Sequence, residues 1–295
     1  MGRRPKYGRD DIDGVLVIDK PSGPTSHDMV ALVRRTLKAK SGHTGTLDPQ
    51  ASGVLPIVLG QATRLARFMQ KHDKQYRAVI RLGRSTETYD REGRVTEEHP
   101  VPDISDEEAE QILEPFRGEI EQRAPLYSAI KVKGKKLYEY ARKGEEAEPP
   151  LRRVRIDRLQ LLERRDSAWT LLIDCGSGTY VRSLAHDIGQ RLGCGAHLEN
   201  LCRTRSGPFG LEQAVAPENL EEEWQKALIP MEELLPSMPR IDLDASLSQR
   251  ILNGAAVVVP NKAQGLCRLF SQQRLLAIAL SDGTSLQPKI VFHPR

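Results

Sequence analysis

The segment Gly42-His43-Thr44-Gly45-Thr46-Leu47-Asp48-Pro49 presents one carboxylate on a glycine-punctuated loop, just ahead of the apolar run Val54-Leu55-Pro56-Ile57-Val58-Leu59. A carboxylate beside a hydrophobic strand is costly unless it is paired or used, which makes Asp48 the first candidate for chemistry. Ionised at neutral pH, it can serve as a base or form a breakable ester-like adduct with a carbon centre. Taken alone, an Asp-Pro step reads more readily as a turn, so the functional reading needs support from elsewhere in the chain. Tyr76 stands between Gln75 and Arg77 on a run that alternates apolar and polar residues as far as Leu82, and its aromatic face can stack on a planar base. Arg182 lies one step from Val181, at the edge of an apolar helix face, and can point into a cleft at the N-terminus of that helix.

Patterning indicates the elements that carry these residues. Residues 14–19 form a short apolar run of strand type. Thr25-Ser26-His27-Asp28 has the form of a helix N-cap, and Met29, Val30, Leu32, Val33 and Leu37 follow at helical spacing before the Asp48 loop. Ser105 with Glu108 makes a second capping box, opening a helix whose Ala109, Ile112, Leu113 and Phe116 share one face. Residues 152–162 and 169–175 read as a hairpin across Arg164-Arg165-Asp166-Ser167, and Val181, Leu184, Ala185, Ile188 and Leu192 mark an amphipathic helix stopped by Gly193. Between these elements, residues 123–150 turn basic and aromatic and read as an insertion projecting from the core. Its Arg123, Lys131, Lys133, Lys135, Lys136, Arg142 and Lys143 are candidate phosphate contacts. Pro230, Pro236 and Pro239 mark a boundary, beyond which residues 266–270, 275–280 and 289–292 read as short strands of a small barrel.

At 295 residues the chain can hold one large domain and a small one. It has no stretch of about 18 apolar residues, and Met1-Gly2-Arg3-Arg4-Pro5-Lys6 lacks the apolar centre of a signal peptide, so the expected location is cytoplasmic, away from membranes. The four cysteines, Cys175, Cys194, Cys202 and Cys267, show no Cys-x-x-Cys pairing and no matching histidine spacing, which points to reduced thiols and no bound metal. The net charge of +4 is modest but uneven: basic residues outnumber acidic ones through 1–94, and residues 95–126 are acidic. Positive charge can therefore gather on one face, as phosphate binding requires.

The Asp48 loop belongs to a series of blocks in a recognisable order. Upstream is Gly14-Val15-Leu16-Val17-Ile18-Asp19-Lys20-Pro21. Downstream come Lys74-Gln75-Tyr76-Arg77, Tyr127-Ser128-Ala129-Ile130-Lys131, Gly178-Thr179-Tyr180-Val181-Arg182, and Ala196-His197-Leu198 with Leu201-Cys202-Arg203-Thr204. Across residues 12–210 this series resembles the tRNA pseudouridine synthase B (TruB) family, with mild departures at Ile130 and Cys202. The resemblance implies an α+β fold: a catalytic domain over 11–239 built on a mixed β-sheet with flanking helices, preceded by a basic arm over 1–10. A small β-rich, PUA-like RNA-binding domain over 240–295 follows.

The implied activity is isomerisation of the uridine at position 55, in the TΨC loop of tRNA, to pseudouridine. The N1–C1′ bond breaks, the base turns, and C5 rejoins C1′, with no net oxidation, no group donor and hence no cofactor. Asp48 is implied as the catalytic aspartate, Arg182 as the cation that keeps it ionised and oriented, and Tyr76 as a stacking platform whose hydroxyl is a candidate for proton transfer. Tyr180 and Leu201 are implied to line the uridine pocket, and His43 to fill the gap left by the flipped base. The implied partner is the TΨC stem-loop of tRNA, bound by a monomer without guide RNA. Lys20 reads as a structural residue closing the Lys-Pro turn. A second reading, from another class, is a non-catalytic RNA-folding protein using the same surface. Hydrolysis of a glycosidic bond normally needs two flanking carboxylates, whereas one is bound to a motif here.

Overall fold

Strand Gly14–Lys20 sends Leu16 and Ile18 to one face of a sheet and Val15 and Val17 to the other, and all four side chains are buried. Ser52–Leu59 does the same, with Leu55, Ile57 and Leu59 opposite Val54 and Val58. Runs so uniformly apolar arise where both faces of a sheet are covered. The computed structural model describes residues 12–293 except 129, 133, 146 and 261, and the side chains of residues 131, 136 and 141–143 are outside that description. The expected basic arm over 1–10, and Lys133, lie outside the described residues.

The fold is α+β, as expected. Its main sheet has ten strands, with a spine in the order Ile229–Pro230, Gly14–Lys20, Ser52–Leu59, Ala196–Ser206, Lys74–Leu82, Ala168–Cys175, Leu151–Arg165, Gly118–Arg123. Neighbours along the spine are antiparallel except Ser52–Leu59 beside Ala196–Ser206, which pair in parallel at Ser52 with Cys202 and Gly53 with Arg203. Helices Ser26–Leu37, Asp106–Leu113 and Val181–Leu192 cover the face that carries Leu16 and Ile18. Reciprocal capping boxes start the first two, Thr25 with Asp28 and Ser105 with Glu108, as their spacing predicts.

The opposite face is covered by a second sheet. Val15, Val17, Val54 and Val58 pack with Phe270, Leu275, Ile278, Ile290 and Phe292. These come from, or in the case of Phe292 directly follow, the longer strands of a five-stranded sheet in the order Arg240–Asp242, Gln264–Ser271, Arg274–Asp282, Ser285–Val291, Val257–Val258, accompanied by helix Ala245–Leu252. The three longer strands follow the sequence pattern, whereas the two short strands are too brief to show a period and helix Ala245–Leu252, capped by Asp244, is absent from the expected elements. The proline-bearing segment before them is not a free spacer. Ile229–Pro230 pairs with Gly14 and Val15, and Met231, Leu234 and Leu235 are buried. The Arg268 guanidinium donates to the carbonyls of Met238 at 3.0 Å, Leu234 at 3.2 Å and Glu232 at 3.3 Å.

The segment 123–150 forms a small unit of its own: the short strands Lys131–Val132 and Lys135–Lys136 pair, helix Leu137–Lys143 packs beside them, and Leu137 is fully buried. Among the described residues no helix is long and apolar enough to cross a membrane, and all four cysteines are free thiols.

The parallel pairing sets a steric condition on Gly53. Its φ is +97°, and a Cβ there would stand 2.3 Å from the Arg203 carbonyl oxygen, which is backbone and cannot yield. Gly53→Ala is expected to destabilise the chain by at least about 2 kcal/mol, read as a lower urea midpoint at unchanged m-value.

Candidate active site

The Asp48 loop joins the short strand Ser41–His43 to Ser52–Leu59 and is pinned from several directions. Lys20, fully buried, donates from Nζ to the carbonyls of Pro21 at 2.9 Å, Pro49 at 3.0 Å and Ala51 at 2.6 Å. An ammonium has three protons, so this cation is fully used in holding the loop. Burial lowers the Lys20 pKa, and the Asp48 charge opposes that shift. Ser26 at the start of its helix exchanges hydrogen bonds with the backbone of Leu47, each 2.8 Å long. From the other side Arg203, 1% exposed, donates to Val54 O at 2.7 Å and Gly45 O at 3.1 Å. The Ala51 N–H returns to the Asp48 carbonyl at 3.0 Å, so the backbone of Asp48 makes a turn while its carboxylate points elsewhere.

That carboxylate meets Arg182. Oδ2 of Asp48 is 3.0 Å from Nε of Arg182, a side chain only 6% exposed, while Asp48 itself keeps 38% exposure. The rest of the guanidinium is held by other residues of the cleft wall: Nη1 lies 3.4 Å from Asp90 Oδ2 and 3.4 Å from Thr88 O, and Nη2 donates to Tyr127 O at 3.0 Å. Asp90 is 8% exposed and is fixed in turn by the Thr88 hydroxyl at 2.6 Å and the Glu92 N–H at 3.1 Å. A buried cation between two carboxylates is tolerated where further acceptors take up its donors, and Thr88 O and Tyr127 O do so here. Asp48 and Asp90, both lining the cleft, therefore share a single immobilised cation.

The cleft over Asp48 has a volume of about 710 Å³, and Tyr76, Tyr180, Leu201 and His43 all line it. Tyr76, 9% exposed, sits on strand Lys74–Leu82, and burial raises its hydroxyl pKa against the pull of the nearby Arg203. The phenol is thus protonated at neutral pH. Tyr180 precedes helix Val181–Leu192, and burial raises its pKa too, opposed first by Arg152. Leu201 is 7% exposed on strand Ala196–Ser206. His43 packs edge-on against His27 with ring centroids 5.5 Å apart, and burial, with His27 and Arg203 nearby, keeps its pKa below the usual imidazole value. From the insertion, Tyr127, Ser128 and Tyr138 complete the wall.

Of the candidate phosphate contacts, Arg123 and Lys135 are on the surface, paired with Glu148 at 3.1 Å and Glu145 at 3.6 Å. The side chains of Lys131, Lys136, Arg142 and Lys143, and all of Lys133, lie outside the described residues. Sequence reasoning assigned no role to Asp90, Arg203 or Lys74. Asp90 stands in an ordinary polar stretch with nothing to mark it, while Arg203 and Lys74 lie inside motif blocks whose residue types do not disclose burial. Lys74, 7% exposed at the cleft edge, donates to Gln70 O at 2.7 Å, and burial lowers its amine to about 8.

Comparison with known proteins gives this site a context. The model of the TruB family pseudouridylate synthase N-terminal domain matches residues 34–181, and that of the tRNA pseudouridylate synthase B C-terminal domain matches residues 182–237. The chain belongs to the TruB family. Its relatives include tRNA pseudouridine synthase B of Aromatoleum aromaticum, 44% identical over 96% of this chain and 94% of that protein. The protein of the same name from Geobacillus kaustophilus is 46% identical over 84% and 92%. Among solved structures, a Cbf5-Nop10-Gar1 complex aligns with a TM-score of 0.76 at 29% identity, covering 100% of this chain and 92% of the other. An H/ACA RNP bound to a substrate RNA containing 2′-deoxyuridine aligns at 0.73 and 28%, covering 96% and 86%. The mixed sheet with its flanking helices is thus the TruB and Cbf5 fold.

In this TruB-family site the support that Asp90 gives Arg182 is open to test. Asp90→Asn keeps the size of the side chain but, whichever way the amide turns, sets an N–H against the Arg182 guanidinium or the Glu92 N–H. A loss of about 1–3 kcal/mol is expected, measured as a shifted urea midpoint.

Proposed function

We propose that this chain isomerises a uridine of tRNA to pseudouridine, and that the uridine is the one at position 55 in the TΨC loop. The observation that carries the reading is the Asp48–Arg182 pair at the floor of the cleft: a carboxylate paired with a buried cation, yet still 38% exposed toward the space where a base would sit. A binder of RNA has little use for a negative charge facing its ligand, whereas an isomerase needs a group that acts at the sugar or the ring. The names of the relatives support the substrate class. Their higher identity, compared with the H/ACA assemblies, supports action without guide RNA.

In this reading the target nucleotide leaves its stack and enters the cleft, where Tyr76 offers an aromatic face and a protonated hydroxyl. Leu201 and Tyr180 wall the base, and His43, neutral at physiological pH, fills the vacated space without adding a charge. The ring is released from C1′, turns within the cleft and rejoins through C5, which gives up its proton while N1 takes one up. Asp48 acts throughout as an ionised group held at one angle by Arg182. No cofactor enters the balance, since every bond made replaces one broken. Arg123 and Lys135, with Lys131, Lys133, Lys136, Arg142 and Lys143, grip the phosphates of the TΨC arm, and residues 240–295 act as a PUA-like RNA-binding domain.

Three measurements test the reading. Unmodified tRNA incubated with the chain should acquire pseudouridine, mapped by a chemistry that detects the free N1 imino group. Asp48→Asn should bind tRNA with unchanged affinity and yield no product, and appreciable turnover by it would remove Asp48 from the mechanism. Reversing Arg123 and Lys135 to Glu should lower the slope of log affinity against log salt by about one for each phosphate no longer held.

A further inference from the structure

Strand Gly118–Arg123 is charged at every second residue, Glu119, Glu121 and Arg123, and has one buried residue, Gln122, 1% exposed. Its carboxamide commits both ends to a single residue: Nε2 donates to the Tyr180 carbonyl at 2.9 Å, and Oε1 accepts from the Tyr180 N–H at 2.8 Å. The pair imitates one rung of a β-ladder and fixes the backbone on both sides of the Tyr180 Cα. An apolar side chain would fill the same space but leave the Tyr180 N–H without its acceptor, so the amide both satisfies that group and fixes its direction.

That direction matters because Tyr180 leads straight into the catalytic helix. It is the N-cap of helix Val181–Leu192, and its own side chain makes no capping bond. Arg182 is the second residue of the helix, and its Nε must meet Asp48 Oδ2 at 3.0 Å. The same stretch of chain supplies two more ties. Ser183 Oγ donates to Arg123 O at 2.7 Å, and Arg182 Nη2 donates to Tyr127 O at 3.0 Å. The strand that leads into the insertion, with Tyr127 just beyond it, therefore helps hold the helix start at Tyr180, Arg182 and Ser183, and Gln122 does so without itself lining the cleft.

We propose that Gln122 is a positioning residue for the reaction: by clamping the Tyr180 peptide it sets the angle at which Arg182 presents its guanidinium to Asp48 and at which Tyr180 walls the cleft. The proposal rests on the uridine-isomerase reading above. A misplacement of a fraction of an ångström at the reacting groups slows chemistry without weakening the remote contacts that bind RNA.

The test uses the full chain, with enzyme in excess over unmodified tRNA. Gln122→Met keeps the length of the side chain and removes both hydrogen bonds. It is expected to lower the single-turnover rate about ten- to hundredfold at unchanged tRNA Kd, with the protein folded at the assay temperature. If that variant melts below the assay temperature, Gln122→Asn, one methylene short of Tyr180, takes its place with the same expected split. A parental rate in the folded variant overturns the proposal, as does a loss confined to Kd or one that tracks the unfolded fraction. Absence of product from the parent chain, run alongside, overturns the isomerase reading and this inference with it. Product from the parent together with a parental rate in the variant overturns this inference alone.

Discussion

The structure depends on one electrostatic constraint: the Asp48 carboxylate, still 38% exposed, opens on the cleft and must be held there in one orientation. A fixed opposite charge at short range does this. Arg182 supplies that charge 3.0 Å away. Its guanidinium is itself buried and needs partners, which Asp90, Thr88 and Tyr127 provide. The result is a chain of dependence running from the cleft into the body of the protein. Each member is held in a single geometry by the next, which is what electrostatic preorganisation requires.

The fold meets this constraint by bringing distant segments to one point. The Asp48 loop enters Ser52–Leu59 where that strand lies parallel to Ala196–Ser206, and the two strands approach so closely that only glycine fits at position 53. Arg203 crosses that junction to hold Gly45 and Val54, and Lys20 holds the loop from the neighbouring strand. Two buried cations thus serve as braces whose donors reach backbone carbonyls of the loop and of the strand it enters. Helix Val181–Leu192 then delivers Arg182 across the cleft from its first turn.

The second sheet contributes to the same rigidity. Phe270, Leu275, Ile278, Ile290 and Phe292 share a core with Val15, Val17, Val54 and Val58, so the strands that flank the Asp48 loop are buried from both sides. The proline-bearing segment leading to it is stapled by Arg268 rather than left to swing. A strand covered on both faces cannot shift register without exposing apolar surface, and the loop it carries inherits that order.

Local patterns determined much of this in advance. The capping boxes at Thr25 and Ser105, the hairpin across Asp166 and Ser167 and the helix ending at Gly193 depend on residues a few positions apart, and each formed where its spacing indicated. The order of motif blocks indicated the family, and with it the expectation that Asp48 and Arg182 meet. Burial and partnership were decided only by tertiary contacts. Asp90, Arg203 and Gln122 are ordinary polar residues in the sequence, and 92, 158 and 58 positions separate them from Arg182, Gly45 and Tyr180. No periodicity reports contacts at such separations. The insertion over 123–150 reads as a basic appendage because its charges dominate its composition, and the sequence does not disclose that Leu137 is buried or that Tyr127 and Tyr138 border the cleft. Charge at the surface costs little in any arrangement, whereas buried apolar area favours one, and only the assembled fold supplies the surface against which that area is buried.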